Sequence, residues 1–298
     1  MRLRQIEVFH AIYTTGSMTN AAALLNVSQP SISKVLTHAE QQLGYRLFDR
    51  VKGKLIPTPE AHQLFAHVKA VYKDVNRLRH VATNIKTAGA GRIRVAGTPA
   101  FGLEVLPAAV ASFHREHPET VFEIETLHFD EITDALLESR IDIGLAFDPT
   151  ETPGIGRQHL ASGRFVVLAP ENETFGGKTE LTVDDLADFP FIALNSRGPL
   201  GQALSDYLAA RATELNVVAW SETYHVAREL VAQGLGITIA DDITARSGTR
   251  ANIRRIRLRP TLRFSVKALH LDSLPLSIGA RRFTKHLGVV LKQFLADD

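Results

Sequence analysis

Gly16-Ser17-Met18-Thr19-Asn20-Ala21-Ala22-Ala23-Leu24-Leu25-Asn26-Val27-Ser28-Gln29-Pro30-Ser31-Ile32-Ser33, running on to Leu43-Gly44-Tyr45-Arg46-Leu47-Phe48-Asp49-Arg50, is the stretch whose reading decides the fold. Ala21, Ala22, Leu24 and Leu25 form a compact apolar face just after Ser17 and Thr19, either of which can accept a bond from the orphan N–H groups of a helix start. The spacing predicts a helix over about 19–26. Asn26-Val27-Ser28 interrupts it, Pro30 suits a first helical turn because it has no N–H to leave unpaired, and Ile32, Val35, Leu36 and Ala39 recur at helical spacing. A second helix over about 30–42 follows, with Ser28 as its cap and Gly44 as its stop. Gln29, Ser31, Ser33, Lys34 and His38 face outward from its apolar stripe, groups suited to base edges and phosphates.

An alanine-rich helical hairpin with a polar second face is also common in ordinary globular cores. Two neighbouring features favour a DNA reader. Arg46, Arg50, Lys52 and Lys54 flank a hairpin tip at Gly53, the composition of a wing that grips phosphate. Charge also segregates: residues 1–90 hold twelve Lys/Arg and five Asp/Glu, net +7, while 91–298 hold twenty-two and twenty-seven, net −5, so the overall +2 conceals a basic N-terminal module.

The spaced positions Gly16-Ser17, Ala21-Ala22, Leu25, Ser28-Gln29-Pro30, Ser33, Glu40, Leu43-Gly44, Leu47-Phe48 and Arg50 resemble the winged helix-turn-helix of LysR-type transcriptional regulators. The resemblance implies sequence-specific DNA binding, with Gln29, Pro30 and Ser33 approaching bases. It puts Thr19, Ser31, Lys34, Arg50 and Lys52 at the backbone or groove edge; Ser28, His38 and Lys54 complete the candidate DNA-binding set. Ala39 stands where the family has a leucine, and Ala61 where it often has a glycine.

After the wing, Thr58-Pro59-Glu60 reads as a helix start, with Thr58 as cap and a carboxylate near the positive end of the dipole. Leu64, Val68, Val71, Val75, Leu78, Ala82 and Ile85 then alternate spacings of four and three, a heptad seam that predicts pairing of two such helices. The competing reading is a helix lying on its own domain. Thr87-Ala88-Gly89-Ala90-Gly91 is expected to end the helix. The expected domains are a DNA-binding domain over 1–58, a linker and dimerisation helix over 59–88, and an effector-binding domain over 92–298.

Residues 92–298 alternate strand and helix. Strands are predicted at 93–96, 121–126, 141–147, 165–169, 191–194, 217–220 and 237–240, and helices near 103–116, 130–139, 200–212 and 224–233, an order that implies parallel sheets covered by helices. The resemblance supplies a multidomain α/β architecture: a two-lobed, periplasmic-binding-protein-like effector domain, lobe I being about 92–161 and 265–298 and lobe II about 162–264. The strand at 264–271 and the helix near 277–296 would return to lobe I.

Ligands of such sheets bind beyond the carboxyl ends of strands. The candidate ligand-binding residues there are Thr98, Pro99, Ala100, His128, Ser196, Arg197, Thr223 and His225; Thr98 and Thr223 can donate to a carboxylate and Arg197 can pair with one bidentately. The resemblance implies a small-molecule inducer between the lobes. The opening Leu3-Arg4-Gln5-Ile6-Glu7-Val8-Phe9 and the Gly97-Thr98-Pro99-Ala100 turn are similar to regulators of opine and amino-acid catabolism, which points to an amino acid, an opine or another small carboxylate. Glu222, Asp148 and Glu104 are candidates for an ammonium group.

Other classes fare poorly. The chain has no Gly-x-Ser-x-Gly elbow, no Gly-x-Gly-x-x-Gly after a strand, no Walker pattern and no His-Glu-x-x-His, so no enzyme is expected. His114 and His117, three apart, precede Pro118 at a helix end, where cationic side chains complement the dipole. Zero cysteines exclude thiolate metal sites and disulfides, and no metal or cofactor is expected. An exported solute receptor would carry an apolar signal segment, whereas this sequence opens Met-Arg-Leu-Arg-Gln-Ile-Glu and holds no membrane-length apolar run. The expectation is a cytoplasmic homodimer or homotetramer that binds double-stranded promoter DNA, without a membrane, and with RNA polymerase as a candidate further partner. Arg254, Arg255, Arg257, Arg259 and Arg263 read as a solvated strand face or a subunit interface.

Overall fold

In the computed structural model the chain separates into two units, Met1–Thr83 and Asn84–Asp298, and the structure describes residues 1–51, 54–86, 91–175, 177–195, 198–211, 213–248 and 252–296.

The first unit runs α1 (Leu3–Thr15), α2 (Met18–Leu24), α3 (Gln29–Leu43), β1 (Phe48–Val51), β2 (Lys54–Pro57) and α4 (Pro59–Lys86). The helical hairpin is present within a residue or two of its expected bounds, but α1 has no counterpart in the sequence reading. Val8, Phe9, Ala11 and Ile12 of α1 are buried with Ala21, Ala22, Ile32, Leu36, Leu47 and Phe48 in one core. Ala39 and Ala61, the two departures from the family pattern, are fully buried. Gly44 ends α3 at φ +80, a left-handed position that glycine adopts without strain. The Glu40 carboxylate then accepts from Leu47 N (2.7 Å) and Phe48 N (3.3 Å), fixing where the chain enters the wing, whose strands pair antiparallel. Thr58 Oγ1 accepts from Ala61 N at 3.2 Å, the expected cap of α4.

The heptad seam divides. Val68 is 4% exposed within the unit's own core, and Leu64 and Phe65 pack against it. Tyr13 stacks on Phe65 with ring centroids 3.7 Å apart, and His10 on Tyr72 at 4.1 Å. Leu64 and Val68 therefore belong to the intramolecular core rather than to a pairing seam, because α1 already covers that stripe of α4. Val71 and Leu78 are 43% and 69% exposed. Val75 is half-buried, and the Ile85 side chain lies outside the described part of the structure.

The second unit runs β3 (Arg92–Gly97), α5 (Pro99–Gly102), α6 (Val105–Glu116), β4 (Val121–Thr126), α7 (Phe129–Leu137), β5 (Ile143–Phe147), β6 (Ile155–Pro170), β7 (Glu180–Thr182), α8 (Val183–Leu186), β8 (Phe191–Leu194), α9 (Gly198–Ala209), β9 (Val217–Ser221), α10 (Tyr224–Ala232), β10 (Thr238–Asp241), α11 (Asp242–Arg246), β11 (Ile253–Arg259), β12 (Arg263–Leu271) and α12 (Ile278–Ala296). Strand order is β4-β3-β5-β12-β6-β11-β7, with β10 also on β6; β8 and β9 form a pair of their own, linked by a Phe191–Ile237 bridge.

The sheets are mixed rather than wholly parallel. β3 is parallel to β4 and β5, but β12 is inserted antiparallel between β5 and β6. β6 begins at Ile155, ten residues before the expected strand: its first half pairs with β12, and Phe165–Pro170 pairs with β10 and β11. One strand thus serves both lobes, and the helix expected at 103–116 is α6, preceded by the short additional helix α5. α6, α7 and α12 cover the first half of the sheet and α8, α10 and α11 the second. Ring contacts Phe101–Phe147 (4.6 Å), Phe147–Phe264 (5.0 Å) and Phe165–Phe264 (5.7 Å) run from one lobe's core to the other's. Among the described residues no helix is long and apolar enough to cross a membrane.

Candidate functional site

In the first unit α3 presents the polar face expected of it. Ile32, Leu36 and Ala39 turn inward, leaving Gln29, Pro30, Ser31, Lys34 and His38 exposed and Ser33 half-exposed. Gln29, Pro30, Ser33, Lys34, Thr37, His38 and Gln41 line one shallow surface along the helix, and Ser33 and Arg50 share the adjoining groove between α3 and the wing. Thr19 is exposed on α2; Ser17, one of its two candidate caps, accepts from Asn20 N at 3.4 Å. Ser28 occupies the N-cap of α3, but its hydroxyl pairs with Ser31 Oγ at 3.0 Å instead of with backbone. Lys52 lies outside the described residues, as does the Lys54 side chain.

In the second unit, six of the eight expected ligand residues meet at one cavity of about 80 Å³ between the lobes: Thr98, Pro99, Ala100, His128, Thr223 and His225. Ser196 and Arg197 lie outside the described residues. Asp130, Phe129, Ala146, Phe147, Gly198, Pro199, Leu200, Glu222, Tyr224 and Thr244 complete the wall. Tyr224 was within reach of sequence reasoning, since it stands between Thr223 and His225. Thr244 was not, because it comes from α11, a five-residue helix with no periodicity to betray it.

The two threonines do different things. Thr223 caps α10, accepting from Val226 N at 3.4 Å. Thr98 precedes α5 without capping it, and its Oγ1 is buried with no hydrogen-bond partner among the described residues. Tyr224 OH and His225 Nδ1, on residues of the same wall, are buried and have no partner among the described residues. Burial keeps the Tyr224 phenol protonated, raising it well above its ordinary range, and the Asp241 charge adds to this. Burial also pushes the His225 imidazole down, helped by the Arg228 cation and opposed by Glu229. Behind the wall, Asp241 caps α11 by accepting from Thr244 N (2.8 Å) and Thr244 Oγ1 (2.7 Å). Its complete burial raises its carboxyl to about 6, against the lowering effect of those two bonds.

Of the candidate ammonium partners only Glu222 lines the cavity. Asp148 clamps strand β12, accepting from Ser265 N at 3.0 Å and Ser265 Oγ at 2.7 Å, and Glu104 accepts from Gly248 N at 2.9 Å. Both carboxylates are occupied in structural bonds. His114 Nδ1 lies 3.3 Å from Thr120 O, and no metal-binding cluster occurs among the described residues. The Arg255, Arg257 and Arg259 face of β11 is exposed, with Arg259 paired to Glu180 at 2.9 Å.

Comparison with known proteins agrees with this geometry. The family of bacterial regulatory helix-turn-helix proteins of the lysR type matches residues 3–62, and the LysR substrate binding domain matches residues 86–291. The HTH-type transcriptional regulator DgcR of a Pseudoalteromonas species is 43% identical over 277 residues, covering 93% of this chain and 95% of that protein. The octopine catabolism/uptake operon regulatory protein OccR of Rhizobium meliloti is 35% identical over 154 residues, 52% of each chain. Full-length CbnR, solved in complex with its target DNA, has the same fold, with a TM-score of 0.69 at 21% identity over 97% of this chain and 100% of that one. The chain therefore belongs to the LysR family of bacterial transcriptional regulators, DNA-binding through its helix-turn-helix and carrying a substrate-binding effector domain in its second unit.

Proposed function

We propose that this regulator is controlled by a small zwitterionic or carboxylate inducer, an amino acid or opine, held in the cavity between its lobes. The observation that carries the reading is that three residues lining one space, Thr98, Tyr224 and His225, each hold a buried polar atom with no hydrogen-bond partner among the described residues. Each unpaired buried group costs roughly 1–3 kcal/mol, which a ligand able to bond it recovers. The space holds roughly half a dozen water-sized groups, the scale of a small amino acid. The first residues of α7, α9 and α10 edge the cavity, so helix N-termini favour an anionic group there, while Glu222 and Asp130 suit an ammonium. The name of OccR, a regulator of octopine catabolism, is in keeping with this class.

At the DNA end, Gln29, Pro30 and Ser33 approach bases, while Lys34, Arg50 and the wing lysines hold phosphate. The protein acts as a homo-oligomer. Exposed Val71 and Leu78 on α4 support pairing through the second half of that helix, and Val121, Ile124 and Trp220, 55%, 48% and 68% exposed on the terminal strands β4 and β9, support further subunit contacts.

A thermal-shift screen of amino acids, opines and small carboxylates against the wild type, Thr98→Val and Tyr224→Phe tests the cavity. An inducer at a hundred times its Kd stabilises the wild type by about 2.7 kcal/mol. Each substitution is expected to weaken that response about tenfold in apparent Kd. Stabilisation that survives both substitutions, or no response from any compound of the class, overturns the reading.

A further inference from the structure

Gln5 of α1 is 4% exposed and tied at every polar position. Its Oε1 accepts from the Arg2 backbone N–H at 2.6 Å. A backbone N–H can only donate, so this bond fixes which end of the amide is oxygen. Gln5 Nε2 is then a donor, bonding Gln42 Oε1 at 2.8 Å and meeting His38 Nδ1 at 3.1 Å. An NH₂ group cannot accept a hydrogen bond, so Nδ1 must be the unprotonated nitrogen and the hydrogen of the neutral ring sits on Nε2. The two ring nitrogens point away from each other, so the Nε2–H faces away from Gln5, on the exposed side of α3 beside Lys34 and Gln41.

We infer that Gln5 is a positioning residue that holds His38 in the tautomer donating from Nε2 to a phosphate oxygen of the bound duplex. This rests on the reading of α3 as the DNA-facing helix. Phosphate is favoured over a base edge by reach: His38 lies nine residues beyond Gln29, about 13.5 Å along the helix axis at 1.5 Å per residue, and the major groove is about 12 Å wide. With the first turn over the bases, His38 stands at the groove wall.

The test uses the full chain and a duplex enriched from a random pool by the wild-type protein. Glutamine places an amide N–H near the position of histidine Nε2, whereas asparagine reaches only as far as Nδ1. His38→Gln is expected to bind within about twofold of wild type, and His38→Asn five- to tenfold more weakly and uniformly across sequences. Gln5→Leu is expected to weaken the wild type to a similar extent and to have no further effect in the His38→Gln background. In ¹⁵N spectra of histidine-labelled protein, the His38 Nδ1 signal, assigned by its loss in His38→Asn, is expected to be that of an unprotonated ring nitrogen in the wild type and to shift toward a tautomer mixture in Gln5→Leu. Equal loss from Gln5→Leu in both backgrounds, wild-type affinity for His38→Asn, or a shift in preference at a single base would each overturn the inference. Where Gln5→Leu does not fold, the wild-type His38 Nδ1 signal decides together with the Asn and Gln pair: a hydrogen-bearing Nδ1 overturns the inference. Wild-type binding by Gln29→Ala as well would show that the α3 reading itself had failed.

Discussion

Along α3 the outward polar side chains stand in water, whereas around the cavity of the second unit three polar atoms are shut away from water without partners among the described residues. An exposed donor loses nothing while it waits for a ligand, since solvent serves it; a buried one carries its desolvation cost until something binds. Substitutions on α3 should therefore change recognition and leave stability almost untouched. Substitutions around the cavity should change both.

The largest effect is expected from Phe101→Ala. The ring is fully buried and stacks on Phe147 of the cavity wall. Urea unfolding of the second unit should show a loss of about 3–5 kcal/mol; less than about 1 kcal/mol would mean that the cavity floor is not a packed core and would break the contrast.

Asp241→Asn tests the electrostatic half of the cavity. Burial raises this carboxyl from 3.8 to about 6. A raised folded value means that its stabilising contribution is complete below 3.8 and is lost as pH climbs through about 6. The variant keeps an acceptor for Thr244 but no titrating charge. Relative to wild type it should gain up to about 3 kcal/mol across that window, 2.2 pH units at about 1.36 kcal/mol each. Parallel stability curves for the two proteins would show that Asp241 titrates like an exposed carboxyl.

The smallest change in stability, within about 0.5 kcal/mol, is expected from the double variant Gln29→Ala, Ser33→Ala. Footprinting should instead show sequence preference falling by about 1–3 kcal/mol per lost base contact, with residual binding still steeply salt-dependent through the basic wing. Unchanged protection would remove α3 from the groove.

The same contrast explains what could be read from the sequence. The hairpin of α2 and α3 is local: its caps, Pro30, its apolar stripe and Gly44 all lie within one short stretch. α1 escaped because Arg2 is not a capping residue type and its start is marked only by Gln5, whose side chain accepts from the Arg2 backbone N–H, although Val8, Phe9 and Ile12 carry the helical spacing. The first half of β6 was hidden by its glycines: a Cβ at Gly163 would run into the Phe264 ring, and one at Gly156 into His270 and Asp272. Both are needed by a neighbour more than a hundred residues away in sequence, which no local pattern records. For the cavity, strand-end loops led to Thr98, His128 and His225, but which hydroxyl is free was decided by geometry. Thr98 and Thr223 look alike as caps, and only Thr223 is one. The heptad count on α4 was correct as a pattern but blind to α1, which had already claimed Leu64 and Val68.

That claim has a mechanical consequence. With Phe65 and Val68 packed into the reader's core and Tyr13 and His10 stacked along α4, the first half of the helix and the reader form one packed body. At 28 residues α4 is about 42 Å long, so each degree of tilt at one end displaces the other by about 0.7 Å. In the oligomer proposed above, α4 would thus be a lever arm, turning a tilt of a few degrees at its far end into a shift of the order of a base-pair step at the reader.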